Sequence, residues 1–479
     1  MKNLKMYING KFVESRSGKW INVLNPSTEE VISLQPEGTI EDVDEALDAA
    51  KAVQKSWAKT PAIERAAYLK KMADGIRKRQ DEFVDIIMRE QGKTRSWATV
   101  EVGVTAEYFD YMAGWARRIE GEIIQSDRRG ETIMLFKEPI GVVAGILPWN
   151  FPFFLIARKA GAALITGCTI VLKPSQLTPE NCTEFAKVVD ESGLPAGVFN
   201  VVTGKGSVVG NALAASPKIG IVSVTGSVSA GQSIMKAAAD NITKVSLELG
   251  GKAPAIVFPD ADLETAAQWI VDSRIGNNGQ ICNNAERVYV HKDIKKEFTD
   301  ILLKKMQAVK VGDPCVDESV DMGPLVEKRA LDSVTEKVER AIKQGAKLLC
   351  GGHRVGEKGY FYAATILDDC KQDFDIIHEE TFGPVLPLVE FDDIDQVIAW
   401  ANDIEYGLAS SVFTKDIDTA TKVCRELEFG ETYINREHFE ALQGFHAGMK
   451  KSGIGGADGK HGMEEYLVTH VVYLDSHYE

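Results

Sequence analysis

Residues 141–173 read GVVAGILPWNFPFFLIARKAGAALITGCTIVLK. The first seven form a short apolar, β-prone run, and 152–166 form a longer apolar stretch of helical length. A second β-branched run follows at 169–173. Strand, helix and strand of these lengths imply a βαβ unit, in which a crossover helix lets two strands lie parallel. The alternation continues downstream. Residues 180–192 read as helix and 198–202 as strand; β-branched runs recur at 219–224 and 244–247, with a helical run at 229–239 between them. The fold class predicted is α/β, with a parallel sheet covered by helices.

A second series begins after Gly250-Gly251, with strand-like runs at 253–257, 287–290, 386–390 and 409–414 and helical runs at 295–309 and 328–344. The change of pattern puts a domain boundary near residue 250. Upstream, the first 120 residues read as mainly helical: Val43, Leu47, Ala50, Val53 and Trp57 make one apolar stripe. Thr60-Pro61 reads as an N-cap followed by proline at the first helical position. Residues 122–138 hold two β-prone runs around a glycine-containing turn and predict a hairpin arm. The β-prone tail at 466–473 would expose an unpaired edge if left alone, so it is expected to pair, within the chain or with a partner subunit.

A chain of 479 residues has room for two or three cores, and 44% hydrophobic with 26% charged residues excludes a disordered protein. Fifty-five basic against 70 acidic side chains leave a net charge of −15, which argues against a general polyanion binder and gives nucleic-acid binding no support. No two of the seven cysteines lie at C-x-x-C spacing, and the eight histidines form no recognisable ligand set, so no metal is expected. The N-terminus lacks an apolar targeting segment. The most apolar stretch, 151–165, is short and is interrupted by Arg158 and Lys159. A soluble, cytoplasmic protein without a membrane partner is the expectation.

Several segments carry candidate chemistry. Thr203-Gly204-Lys205-Gly206-Ser207-Val208-Val209-Gly210 follows a strand and is one residue longer than the Rossmann fingerprint. Thr225-Gly226-Ser227 also follows a strand and opens a helix, so its amides could meet an anion. Asn277-Asn278-Gly279-Gln280-Ile281-Cys282-Asn283 offers a cysteine among glycine and amides, a candidate nucleophile that needs its thiolate or a base. In Leu247-Glu248-Leu249-Gly250-Gly251-Lys252 a lone carboxylate stands between leucines. Apolar surroundings would raise its pKa and suit it to general-base work; a structural partner for a lysine or a helix cap is the commoner reading of such a carboxylate from the sequence alone. Asn150, in Pro148-Trp149-Asn150-Phe151-Pro152, is either an oxyanion donor or a turn cap.

Taken in order, P-W-N-F-P, L-K-P-S, V-T-G-S, L-E-L-G-G-K-A-P, G-Q-I-C and E-E-T-F-G-P-V resemble the NAD(P)-dependent aldehyde dehydrogenase superfamily across essentially the full chain. Residues 434–448 with 457–462 resemble the bacterial lactaldehyde and glycolaldehyde dehydrogenases within it. The resemblance implies an aldehyde dehydrogenase fold: a Rossmann-like NAD(P)-binding domain (1–121 and 140–249), an α/β catalytic domain (250–455) and β oligomerisation elements (122–139 and 456–479). It also implies a homo-oligomer, dimer or tetramer.

The resemblance further implies that Cys282 attacks the aldehyde, that Asn150 and the Cys282 N–H hold the oxyanion, a role worth ~2.7–4 kcal/mol per donor, and that Glu248 activates the water hydrolysing the thioester. The cofactor would meet Ile146, Leu147, Trp149, Lys173, Ser175, Gln176, Gly206, Gly226, Ser227, Leu249, Glu380 and Phe382, with Lys173 and Glu380 on the riboses. Gln176 stands where NAD-preferring relatives carry a glutamate that repels a 2′-phosphate, so NADP is admitted beside NAD. NAD is placed ahead because no neighbouring arginine is in sight, only Lys205. Arg158, Asn283, Glu440 and His446 would line a polar pocket for a small 2-hydroxyaldehyde such as lactaldehyde or glycolaldehyde. The alternatives are a succinate-semialdehyde or other short-chain aldehyde dehydrogenase, with Arg158 receiving a carboxylate, and a non-catalytic protein retaining the fold.

Overall fold

In the computed structural model, which describes residues 2–476, five parallel strands lie side by side in the order Phe199–Val201, Thr169–Lys173, Val142–Ile146, Ile221–Thr225 and Lys244–Glu248. Along the chain this order is third, second, first, fourth, fifth. The chain therefore starts in the middle, builds to one side, then crosses to the other. Connections diverge between Val142–Ile146 and Ile221–Thr225, and that divergence leaves a crevice at the carboxyl ends of the strands. The ends are flush: Ile146 pairs with Lys173, and Thr225 with Glu248. Antiparallel edges, Met6–Ile8 with Lys11–Val13 on one side and Gly453–Ile454 on the other, complete this sheet. Every residue of the helix Phe154–Thr166 is buried against it, which explains why 151–165 is apolar all round.

A second sheet centres on Ala285–His291, flanked in parallel by Ala253–Val257 and Val385–Phe391 and continued by Ala409–Phe413 and Thr365–Asp368. The chain passes from one sheet to the other between Glu248 and Ala253. The hairpin Glu122–Gln125 with Glu131–Pro139 forms, and the tail strand Leu467–Asp475 pairs with its longer arm from Leu467–Pro139 to Asp475–Glu131. The tail thus finds its partner within the chain; residues 477–479 of that segment lie outside the described residues.

Two expectations are corrected. Residues 2–36 form five short strands, and helix begins only at Ile40. They pair largely with one another, Trp20–Leu24 with Val31–Pro36 and Met6–Ile8 with Lys11–Val13, and at two to six residues each is too short for an apolar period to announce it. Thr60 does not cap the following helix: its hydroxyl donates to the Ser56 carbonyl, and helix Ala62–Lys78 starts from Pro61 without a side-chain cap. Among the described residues, no helix is long and apolar enough to cross a membrane, and no group of three or more metal-ligating side chains occurs.

Candidate active site

The cysteine loop is held by its own amides. Helix Leu263–Ile275 ends at Gly276, and Asn277 and Asn278 then turn left-handed at φ 47° and 61°, a region asparagine tolerates better than most residues. Asn277 donates to the Asn150 carbonyl at 3.0 Å and accepts from Gln91 at 2.8 Å. Asn278 donates to the Pro324 carbonyl and accepts from the Gly323 amide, both at 2.7 Å. Gln280 spans from the Asn277 carbonyl to the Val326 amide. At Gly279 (φ 76°) a Cβ would come within 2.4 Å of the Gly383 carbonyl, so glycine is required there. Cys282 emerges from this loop half-buried, its thiol free.

Beneath it, a buried network joins three of the motifs. Glu286 accepts from Lys252 at 2.8 Å and from the amides of Thr381 and Phe382 at 2.7 and 2.8 Å. Arg274 bonds Glu286 and the carbonyls of Gly279, Gly383 and Ala285. Burial alone would raise the Glu286 pKa, but Lys252 and Arg274 hold it down to about 2. A second buried pair, Lys93 with Glu101, sets the P-W-N-F-P turn. Lys93 donates to the Asn150 carbonyl at 2.7 Å, and Glu101 accepts the amides of Phe153 and Phe154 where the buried helix begins.

A cavity of about 260 Å³ brings together Cys282, Glu248 and Asn150 with Arg158, Asn283, Glu440 and His446. Trp149, Gly226, Ser227, Leu249, Glu380 and Phe382 line it as well. Asn150 Nδ2 donates to the Gln280 carbonyl at 3.0 Å, which leaves one of its two hydrogens free. The raised pKa expected for Glu248 is overturned. Burial pushes it up, but Lys159, Arg158 and His446 outweigh burial and the pKa falls below the ordinary glutamate value. Thr225 adds a hydrogen bond at 3.0 Å. A leucine-framed sequence hides these cations, all distant along the chain.

Arg158 is enclosed by carboxylates: Asp458 at 3.0 and 2.7 Å, Glu440 at 2.8 Å and Glu248 at 3.7 Å. Glu440 also accepts from Asn283 at 2.9 Å; burial would raise its pKa, but His446 and Arg158 bring it down to about 2. His446 Nδ1 meets Glu431 at 3.0 Å. Although burial disfavours the imidazolium, Glu431 and the Cys282 thiol raise its pKa well above the ordinary value. A proton is thereby kept beside the cysteine.

The remaining candidates lie along the crevice rather than in this cavity. A Cβ on Gly210 would touch Ile146 at 3.7 Å and Lys173 at 3.9 Å, which groups the glycine turn with both. The Lys173 ammonium is buried, donates to the Pro174 carbonyl at 2.6 Å and has no carboxylate partner among the described residues; burial pulls its pKa to about 8. Gly206 is exposed, Ser175 accepts from the Leu177 amide, and the exposed Gln176 is fixed by Gln35 donating to its carbonyl at 2.6 Å. Lys205 is paired with Glu37 at 2.7 Å.

The Leu147 side chain is 3% exposed and packs in the hydrophobic core, and its amide donates to the Lys173 carbonyl at 3.0 Å. The Gly226 amide is already spent on the Glu248 carbonyl at 3.0 Å, so it is not an anion donor. Ser227 caps helix Val228–Ala238 through the Ala230 amide. Sequence reasoning missed Lys159, Thr225, Glu431 and Asp458. Thr225 and Asp458 sat inside quoted motifs without a role, Lys159 was noted only as a charge in an apolar run, and Glu431 carried no signal.

The sequence pattern of the Aldehyde dehydrogenase family matches residues 12–472. The chain belongs to the aldehyde dehydrogenase family. It is an oxidoreductase of mixed α/β fold, and dehydrogenases of this family use NAD or NADP. The lactaldehyde dehydrogenase of Escherichia coli (strain K12) is 59% identical over 471 residues, covering 98% of each chain. A 3,6-anhydro-alpha-L-galactose dehydrogenase of Vibrio sp. (strain EJY3) is 45% identical over 99% of this chain and 100% of its own. A solved structure of a lactaldehyde dehydrogenase superposes with a TM-score of 0.98 at 58% identity, covering 99% of this chain and 100% of that one.

Proposed function

We propose that this aldehyde dehydrogenase oxidises a small 2-hydroxyaldehyde, such as lactaldehyde or glycolaldehyde, to its carboxylic acid. One observation carries the substrate class. Asn283 Oδ1, next in the chain to Cys282, is buried in the cavity wall and accepts no hydrogen bond, while the same amide's Nδ2 is spent on Glu440. Buried acceptors are nearly always satisfied, so this one fits a hydroxyl beside the reacting carbon. A cavity of about 260 Å³ suits a short chain. The semialdehyde alternative is disfavoured because a substrate carboxylate at Arg158 would meet Asp458, Glu440 and Glu248.

Cys282 adds to the aldehyde carbon to form a thiohemiacetal, while the free hydrogen of the Asn150 amide and the Cys282 N–H steady the oxyanion. His446 keeps positive charge near the sulfur. The residues present fit a dinucleotide: Lys173 is a buried ammonium with no carboxylate, Glu380 lies in the cavity wall, and Trp149 meets Phe382 edge to face at 5.4 Å. When bound, NAD(P)⁺ would supply the hydride acceptor, and loss of hydride from the carbon held on Cys282 would leave a thioester there. Glu248 then takes a proton from water, the hydroxide attacks the thioester carbon, and the acid leaves with the Cys282 sulfur restored.

NAD⁺ is the preferred cofactor in this reading and NADP⁺ is accepted, because Gln176 carries no charge to repel a 2′-phosphate and Lys205 is engaged by Glu37. Residues 1–121 and 140–249 serve the cofactor, 250–455 carry the nucleophile, and 122–139 with 456–479 join subunits into a dimer or tetramer in the cytoplasm. Exposed Ile123 (77%) and Tyr473 (66%) on the three-stranded arm support that assembly role. Initial rates with lactaldehyde, glycolaldehyde and succinate semialdehyde, each with NAD⁺ and NADP⁺, test the proposal. A higher kcat/KM for succinate semialdehyde than for either hydroxyaldehyde would overturn it.

A further inference from the structure

Four residues near the start of the chain, Gln35-Pro36-Glu37-Gly38, bridge two segments of the crevice that lie far apart in sequence. Gln35 is buried, and its Nε2 donates to the Gln176 carbonyl at 2.6 Å. The Pro36 carbonyl accepts from the Thr203 hydroxyl at 2.8 Å, at the head of the glycine turn. A Cβ on Gly38 would lie 2.2 Å from the Thr203 carbonyl, so bridge and turn touch backbone to backbone. Gly210, at the far end of the same turn, lies against Lys173.

Glu37 is the one charged residue of this bridge, and its backbone is fixed on both sides. Its amide donates to the Lys19 carbonyl at 2.9 Å, and its carbonyl accepts from the hydroxyls of Ser15 and Ser17, both at 2.7 Å. The carboxylate meets the Lys205 ammonium at 2.7 Å, between the first two glycines of the turn. That bond keeps the Glu37 carboxyl below the ordinary glutamate range, so it is ionised at neutral pH.

Both side chains reach water, so the pair is weak and can open for a stronger partner. A 2′-phosphate is such a partner for a lysine. Drawing Lys205 away would strand Glu37 beside the phosphate, like charge against like. A 2′-hydroxyl makes no such demand and leaves the pair closed. Gln176 is neutral and adds no repulsion of its own.

We propose that Glu37 selects NAD⁺ over NADP⁺ in this chain by holding Lys205 back from a 2′-phosphate. The selection rests on the cofactor reading of the proposed function and deepens it. The repelling charge arrives from the segment after the first strands, in place of a glutamate at position 176. Glu37 is a positioning residue for Lys205 and takes no part in the chemistry at Cys282.

Wild type, Glu37→Gln and the double variant Glu37→Gln with Lys205→Gln are compared by kcat/KM for NADP⁺ and NAD⁺ with lactaldehyde. Titration with NADPH and NADH, followed by cofactor fluorescence, reads the same preference without turnover. Glu37→Gln is expected to raise the NADP⁺/NAD⁺ ratio about tenfold in both measurements, the scale of one charge-assisted hydrogen bond. Adding Lys205→Gln is expected to take that gain away. A ratio that does not move in Glu37→Gln, or a gain that survives loss of Lys205, would overturn the selector while lactaldehyde oxidation stands. Equal weakening of both cofactors, the mark of a merely structural role, would overturn it too, as would a wild type that favours NADP⁺. No reduced cofactor from either nucleotide would overturn the proposed function instead, and the binding titration would still judge Glu37.

Discussion

Thr225 and Glu248 end neighbouring parallel strands in direct register, and the threonine hydroxyl donates to the Glu248 carboxylate at 3.0 Å. The same carboxylate oxygen lies 3.7 Å from Arg158. Replacing Thr225 by Val keeps the strand and deletes the donor. Steady-state kcat is expected to fall by about ten- to a hundredfold, the worth of one hydrogen bond to a charged group. An unchanged kcat would remove Thr225 from the account.

Glu248→Gln leaves Cys282 able to take the aldehyde but slows hydrolysis of the thioester. Steady-state turnover is expected to drop about 10²–10⁴-fold, the usual span for a general base. A rapid burst of reduced cofactor should survive. Stopped-flow absorbance reads both phases, and loss of the burst together with turnover would place Glu248 before acylation.

Arg158 is the cation that the buried Asp458 and Glu248 and the half-buried Glu440 share. Arg158→Met removes it without removing volume and leaves Asp458 and Glu440 unpaired. A destabilisation of about 3–5 kcal/mol is expected, read by chemical denaturation. Asp458→Asn in the same chain should recover part of it; no recovery would mean that packing against Phe154, 4.7 Å from the guanidinium, matters more than charge.

Acid stability follows from Glu286 and Glu440, both held at about 2 in the folded chain against an ordinary 4.5. A folded pKa below the unfolded one means that the unfolded chain binds more protons in that window. The stability these groups contribute is therefore full above about 4.5 and drains away as pH falls toward 2. Thermal melts between pH 6 and pH 3 measure the slope. Glu286→Gln should lower stability at neutral pH and flatten the slope; an unaltered slope would exclude Glu286 as a source.

Gln176→Glu restores a negative charge at an exposed position whose backbone is fixed by Gln35. The ratio of kcat/KM for NAD⁺ over NADP⁺ is expected to rise about tenfold or more through repulsion of the 2′-phosphate. An unchanged ratio would show that position 176 does not face that group.

Much of the molecule was legible in the chain because its cues are local. Helix 180–192 and strand 253–257 form with the predicted bounds, since apolar period and flanking glycines act within one element. The family could be read from six ordered motifs for the same reason: each is a contiguous turn or strand end. The strands of residues 2–36 were not legible, because each is only two to six residues long, too short for an apolar period to show.

By itself, then, the sequence determined the alternation of strand and helix and the family, and it singled out Cys282, Glu248 and Asn150 as candidates. Tertiary structure alone decided what surrounds them. Lys159, Arg158 and His446 reverse the expected shift of Glu248, Asp458 takes the fork of Arg158, and Glu431 holds a proton on His446. Backbone periodicity and turn chemistry act over a few residues, whereas Coulomb interaction and desolvation depend on distance in space. Glu248 and His446 are nearly two hundred residues apart in the chain, and only folding makes them neighbours.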